Sequence, residues 1–264
     1  MSYNNPIPKI EEHQKSEISE QQLDYVCKEK VYFAFIDVLG FKKSYDDKKI
    51  TKDNSFIKKY QDVFNYYFEL MNHSMFMNTS DKQCYAGQTS DSLYFYTERI
   101  DFLMKFIDIF NHFNLYAMSK NVFFRGGISQ GELFKKENYQ FFGDSVIGAY
   151  LLESNISKFP IITIDENTYN DLKAIKDLNN MINTQNGRYY INPFYSLHEN
   201  TQLDIVPEFD LEDVDCESIQ RHILNNKSIF EYDANNYSKY SFLEKEYNEC
   251  MKSQKNGILG GANE

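Results

Sequence analysis

At 264 residues, 42% hydrophobic and 16% aromatic, the chain has material for one sizeable core, built from 22 Phe and 21 Tyr without a Trp. Its formal net charge of −11 repels polyanions, which argues against a nucleic-acid groove and leaves a small nucleotide held by metal and a few local cations. The first thirty residues are polar and no stretch approaches the roughly 20 apolar residues of a membrane helix, so neither signal peptide nor membrane span is expected, and the location expected is cytoplasmic. Cys27, Cys84, Cys216 and Cys250 lie far apart with no CxxC pairing, which predicts reduced thiols in place of structural zinc. The histidines show no metal-motif spacing; His112 falls within an apolar helical pattern and reads as packed or surface.

Residues 1 to about 28 read as a loose arm followed by a short helix around Glu17 to Lys28. The stretch VYFAFIDVLGFKK, Val31 to Lys43, then gives a buried strand, Val31 to Val38, that runs into Asp37. An acid at the end of a buried strand is very costly unless a cation meets it. Helical spacing of Phe56, Ile57, Tyr60, Val63, Phe64, Tyr67, Phe68 and Met71 predicts a helix over Asp53 to Asn72, with Asp53 as its cap. After a polar turn, Asn78 to Asp81, the short strands QCYAG and SLYFYTE flank a tight bend, Gln88 to Asp91.

Asp101 opens a helix with Phe102, Phe106, Ile109, Phe113 and Ala117 on one face. Val122 to Ser129 is the next strand; it leads through Gln130 and Gly131 into Glu132 to Phe134, a hairpin returning at Tyr139 to Phe142, and Gly126, Gly127 and Gly131 permit close backbone approach or serve bulges and a turn. Asp144 or Ser145 caps a helix to Glu153, and Ile161 to Ile164 is the last strand. Beyond about Asn167 the sequence turns polar and helical. Asn192 to Asn200 reads as loop or short strand, helices follow over roughly Glu217 to Ile229 and Tyr237 to Lys252, and the NGILGGANE ending is expected to be disordered.

The order strand, helix, strand, strand, helix, strand predicts a mixed α/β (α+β) sheet of the ferredoxin-like βαββαβ type, with helices on one face. In that topology the third strand inserts between the first two, antiparallel to the first, and brings Asp37 beside Asp91. Two such carboxylates suit hard divalent ions, Mg2+ or Mn2+, and a pair of ions can clamp a phosphoryl centre. Taken singly, Asp37 also reads as a turn residue before Gly40, and Asp91 as an Asx turn.

FIDVLGFK (Phe35 to Lys42), TSDSLYFY (Thr89 to Tyr96), RGGISQGELF (Arg125 to Phe134) and FGDSVIGAYLLE (Phe142 to Glu153) together resemble a class III nucleotidyl cyclase domain over about Val31 to Asp165. The wording is most similar to the pyrimidine cyclases of bacterial anti-phage signalling, which convert UTP or CTP to cyclic UMP or cyclic CMP. The resemblance implies two metals per site on Asp37 and Asp91, with the backbone carbonyl of Ile36 or Val38 as a minor ligand. It also implies a homodimer with sites at the interface, the Val146 to Glu153 helix of one protomer facing the metals of the other. The cyclic product would act on a separate effector protein. The parts are then an N-terminal arm (1–29), a cyclase-like catalytic domain (30–166) and a mainly helical extension (167–264).

The chain departs from the family at its base-reading positions, which fall on Gly87 or Gln88 and on Gln140. The family's ribose-orienting Asn and transition-state Arg are Ile147 and Leu151 here. Replacement cations are therefore sought in Arg125 and Lys42, as catalytic candidates. Ser90, Gln88, Gln140, Lys43, Tyr150 and Lys158 are candidates for substrate binding. Arg125 grips phosphate or pairs with an acid such as Glu132; Tyr150 stacks on a base or packs. A cyclase-fold module that binds a nucleotide or partner without catalysis is the alternative reading.

Overall fold

The computed structural model describes residues 25–51, 54–72, 84–136, 140–175, 178, 181–197 and 214–260. Its centre is β1 (Val26–Val38), whose alternate residues face opposite sides: Tyr32, Ala34, Ile36 and Val38 enter the main core, Val31 and Phe33 a second cluster. Around it lie β2 (Cys84–Thr89), β3 (Ser92–Thr97), β4 (Phe124–Lys136), β5 (Gln140–Phe142), β6 (Ile162–Ile164), β7 (Ile182–Gln185) and β8 (Arg188–Ile191). Among the described residues these form one sheet in the order β2-β3-β1-β4-β6-β8-β7, with β5 paired to β4. The run β2-β3-β1-β4 is the arrangement expected from sequence, with β3 and β4 both antiparallel to β1.

The helices are α1 (Phe41–Thr51), α2 (Ser55–Met71), α3 (Ile100–Ser119), α4 (Asp144–Leu151), α5 (Glu166–Ile175), α6 (Cys216–Ile229) and α7 (Ala234–Gly260). α2 and α3 bury Tyr67, Phe106, Phe110 and Phe113 against the Ala34 side of the sheet, where Phe95 and Phe106 stack at 4.2 Å. In that core, Nε2 of the buried His112 lies 2.9 Å from the Tyr66 hydroxyl. α4 packs on the other side, against Val31, Phe33 and Leu133. Three glycines allow that approach. A Cβ on Gly127 would overlap the carbonyl oxygen of Ala149, one on Gly148 would overlap Ser129 Oγ, and one on Gly131 would come within 2.8 Å of the Ser145 nitrogen.

β4 continues through Gln130 and Gly131 and runs unbroken for 13 residues, and β5 pairs back on it antiparallel from Gln140. Of the two roles expected of Gly131, it serves close approach, here of α4. Departures from the sequence reading concern lengths and ends. Val26 to Lys28 are strand, not helix, joined to β4 across a register shift between Lys28 and Val31; residues 17–24 of the expected short helix, and Asp53, lie outside the described residues. Asn54 takes the N-cap position of α2. Past the turn at Gly40, where the sequence reading assigned no element, α1 is helix, with Phe41 packed edge-on to Tyr60 at 5.1 Å.

Ile162 to Ile164 is not the last strand. β8 adds to it antiparallel, and β7 adds to β8 through the turn Asn186–Gly187. The Asn192 to Asn200 segment holds a short 3-10 turn at Tyr195–Leu197. α7 continues through Gly260, past the point where disorder was expected, and residues 261–264 lie outside the described residues. No helix among the described residues is long and apolar enough to cross a membrane. The four cysteines are free.

Candidate functional site

β1 delivers Asp37 at its penultimate position, opposite Ser92 of β3 on one side and Arg125 of β4 on the other. Residues directly opposite in antiparallel strands share a face, here the one that carries Phe33 and Phe35. Beyond Val38 the chain turns through Leu39 and Gly40, whose φ of +80° suits glycine and releases the chain into α1. Ser92 Oγ donates to Asp37 Oδ1 at 3.0 Å. Arg125 Nη2 stands 3.8 Å from Asp37 Oδ2 and 2.7 Å from Glu153 Oε1. Glu153 lies in the π-helical turn Leu152–Ile156 that ends α4, its side chain only 5% exposed. Arg125 thus pairs with Glu153, not Glu132, which sits an odd number of residues along β4 and faces away. The contact is close but poorly aligned: Arg125 Nε and Glu153 Oε1 are both buried without a hydrogen-bond partner.

Asp91 is the second residue of the two-residue loop joining β2 to β3, after Ser90 at φ +58°. Gln88 Nε2 donates to the Ser90 carbonyl at 2.7 Å and braces that loop. Burial first, and then the charge of Asp91, push the Asp37 carboxyl above its ordinary range; the Ser92 hydroxyl, Arg125 and the Val38 N–H oppose this without cancelling it. Glu153 is raised as well, by burial first and by Asp37, with Arg125 opposing. On the other side of the loop, burial pushes the Tyr60 hydroxyl up to about 12, Ser44 opposing and Asp91 adding to the rise. Negative charge is over-supplied here.

Does a divalent cation fit this set? No three His, Cys, Asp or Glu residues converge on a metal position among the described residues. What the chain offers is a pair of carboxylates, with Asp37 Oδ2 beyond hydrogen-bond reach of Arg125. An oxygen-only, incomplete donor set suits a hard ion that keeps waters or takes phosphate oxygens. The raised Asp37 carboxyl marks a spot where added positive charge is favourable. The residues fit.

The other candidates divide. Lys42 is exposed on the first turn of α1, and Lys43 lays its ammonium over the Phe230 ring at 5.0 Å. Ile36 and Val38 bury their side chains in the main core, flanking Asp37 in the chain. Tyr150 is 54% exposed and meets Phe35 edge-on at 5.8 Å, on the face that carries Asp37. Lys158 is exposed just beyond the π-helical turn. Gln140 is not brought to the acids within one chain: it pairs with Lys136, eleven residues along β4 from Arg125, or about 35 Å of strand. Ile147 and Leu151 are 56% and 47% exposed on α4. Sequence reasoning missed Glu153 and Tyr60 as neighbours of the site. Glu153 reads only as a helix end, and Tyr60 only as part of an apolar stripe.

No family model and no curated protein matches the chain. Among solved structures it is similar to the monomeric guanylyl cyclase domain of the RhoGC fusion protein from the aquatic fungus Blastocladiella emersonii, at 17% identity and TM-score 0.45, covering 63% of this chain and 96% of that one. It is also similar to an adenylate cyclase from Trypanosoma brucei in its monomeric state, at 11% identity and TM-score 0.45, covering 63% and 90%. A bacterial light-regulated adenylyl cyclase stands at 13% identity and TM-score 0.41, covering 65% and 95%. Likenesses of this size assign no activity to the chain.

Proposed function

We propose that the chain is a nucleotidyl cyclase that converts a pyrimidine nucleoside triphosphate, UTP or CTP, to its 3′,5′-cyclic monophosphate and pyrophosphate. What supports this reading is that Asp37 ends β1 between Ser92 and Arg125, whose guanidinium is 3.8 Å away, with the Asp91 loop next to Ser92 and the charge of Asp91 helping to raise the Asp37 carboxyl. In the reaction the ribose 3′-oxygen bonds to the α-phosphorus while the bond from that phosphorus to its bridging oxygen breaks, and pyrophosphate leaves. Divalent cations on Asp37 and Asp91 would supply Lewis acidity for the attacking hydroxyl and the leaving group. The Ser92 hydroxyl fixes the Asp37 carboxylate through its Oδ1. Arg125 takes up charge on the phosphates, and Glu153 aims it.

Pyrimidine specificity and a second-messenger role in anti-phage defence rest on the motif wording and on Gly87 or Gln88, with Gln140, at the purine-reading positions. A homodimer is part of the reading, because Gln140 and Asp37 can share one site only if they come from different protomers. The test is incubation of purified protein with each of the four NTPs and Mn2+, followed by mass spectrometry. Cyclic UMP or cyclic CMP is expected. Linear oligonucleotides, or cyclic product that survives Asp37→Asn, would overturn the reading.

One observation favours the second reading, a silent association module. α4 presents Ile147, Tyr150 and Leu151 to solvent where a cyclase of this class needs polar groups. Absence of any cyclic product from wild-type protein with all four NTPs would select it.

A further inference from the structure

The strand registers lay out the face that carries Asp37 row by row. Thr89, Ser92, Asp37 and Arg125 stand opposite one another on β2, β3, β1 and β4, and Gly87, Tyr94, Phe35 and Gly127 form the next row of the same face. Two residues of strand, about 7 Å, separate the rows. The second row consists of two aromatic residues with a glycine at either end. α4 closes its β4 end: a Cβ on Gly127 would overlap the carbonyl oxygen of Ala149, and Tyr150 stands edge-on to Phe35 at 5.8 Å.

Tyr94 itself closes the β2 end. Its ring leans across to the neighbouring strand, so that a Cβ on Gly87 would overlap both Cζ and the hydroxyl oxygen of Tyr94. No other residue fits at position 87 unless the ring moves. Phe33 lies parallel to the ring at 6.4 Å and Phe141 meets it edge-on at 5.0 Å, which fixes its place. Tyr94 is half-buried, and among the described residues its hydroxyl has no hydrogen-bond partner. Packing alone would be served by phenylalanine. The phenol adds a donor and acceptor, held in place and unpaired, one row away from Asp37.

We infer that Tyr94 is the specificity-determining residue of the site: the nucleotide's base lies along the row of Phe35, where the Tyr94 ring covers the ground above Gly87 and leaves space for a single-ring base. The inference deepens the pyrimidine cyclase reading and rests on it. The hydroxyl donates to the ring carbonyl that uracil and cytosine share, so Tyr94 favours either of them over a purine without separating the two. Gly87 takes part by its shape: the missing side chain is what admits the Tyr94 ring. Selection is then built from the β3 side chain that covers position 87, and position 87 itself carries no polar group to read a base.

The experiment is calorimetric titration of the full chain, with Mn2+ present, against the α,β-methylene analogues of UTP and ATP, which cannot release pyrophosphate. Wild type should hold the UTP analogue about tenfold tighter than the ATP analogue, or better. Tyr94→Phe keeps the ring and its packing, and should weaken the UTP analogue about fivefold while the ATP analogue stays within about twofold. Tyr94→Ala and Gly87→Ala, which remove or displace the ring, should each narrow the preference by about tenfold. The control Tyr232→Ala, at a fully solvated position, should titrate like wild type. A wild type that binds neither analogue or prefers neither, or a Tyr94→Phe and Tyr94→Ala pair that keeps the wild-type preference, overturns the inference. If Tyr94→Ala still forms cyclic product with the wild-type base preference, only this inference falls. If the preference moves with Tyr94 and no NTP yields a cyclic product, the inference stands as a binding property and the cyclase reading falls.

Discussion

Asp171, from α5, meets the middle of β1, Asp37 closes its C-terminal end, and the two are treated in opposite ways. At mid-strand Asp171 accepts from the Tyr32 hydroxyl at 2.7 Å, from Lys30 Nζ at 2.8 Å and from Gln130 Nε2. Burial alone would raise it, but the hydrogen bonds from Lys30, Tyr32 and Gln130 together outweigh burial and hold its carboxyl below the ordinary range. At the C-terminal end Asp37 has Ser92, the Val38 N–H and a distant guanidinium, and faces the charges of Asp91 and Glu153; its carboxyl lies above the ordinary range. A saturated acid holds strands and helix together. An acid short of donors and crowded by other acids costs stability unless a cation arrives. The fold tolerates the second kind only at one end of the strand, and that asymmetry is the physical content of the site assignment.

The comparison can be broken in several ways. The largest effect is expected from Asp37→Asn or Asp91→Asn, each lowering cyclic-product formation by about 10³-fold or more, measured by mass spectrometry of the reaction. Arg125→Gln should follow at about 10²-fold, with most of the loss in kcat/KM, since it removes phosphate stabilisation while leaving both acids in place. Asp171→Asn should leave turnover per folded molecule unchanged but cost about 1–3 kcal/mol in urea melts, because Lys30 and Gln130 lose a charged acceptor.

The smallest effect is the pH slope of stability, and its sign differs between the two acids. A raised carboxyl is most stable when protonated, so the Asp37 contribution is lost as pH rises from the ordinary carboxylate value through its higher folded value. A depressed carboxyl is the reverse: the Asp171 contribution is present above the ordinary value and lost as pH falls below it. Metal-free Asp37→Asn should therefore melt higher than wild type at neutral pH, by about 2 °C. Asp171→Asn should melt lower there and converge with wild type in acid.

Much of this was legible in the residues themselves. The unbroken apolar run VYFAFI placed β1 and the end that Asp37 marks, and the strand–loop–strand around SDS placed Asp91 in the loop just before Ser92, the residue opposite Asp37. The 3.6-residue stripes of α2 and α3 followed from their Phe and Tyr spacing, and the strand order from the sequence of elements. The failures share a cause: they depend on partners remote in sequence. Between close approach and a turn, the role of Gly131 is decided only by α4 lying against it, with the Ser145 nitrogen 2.8 Å from where a Cβ would stand. The short strands β7 and β8 carry mixed polar residues, and β8 gains its place only by pairing with β6. Glu153 is a single charged residue in helical text, and nothing local to it signals that it comes close to Arg125.

The most direct test is Mn2+ binding followed by electron paramagnetic resonance, without nucleotide and without any demand for turnover. Wild-type protein and Asp171→Asn should bind the ion alike, while Asp37→Asn and Asp91→Asn should each lose it. Undiminished binding in either of the last two variants would contradict the claim that these acids share a cation.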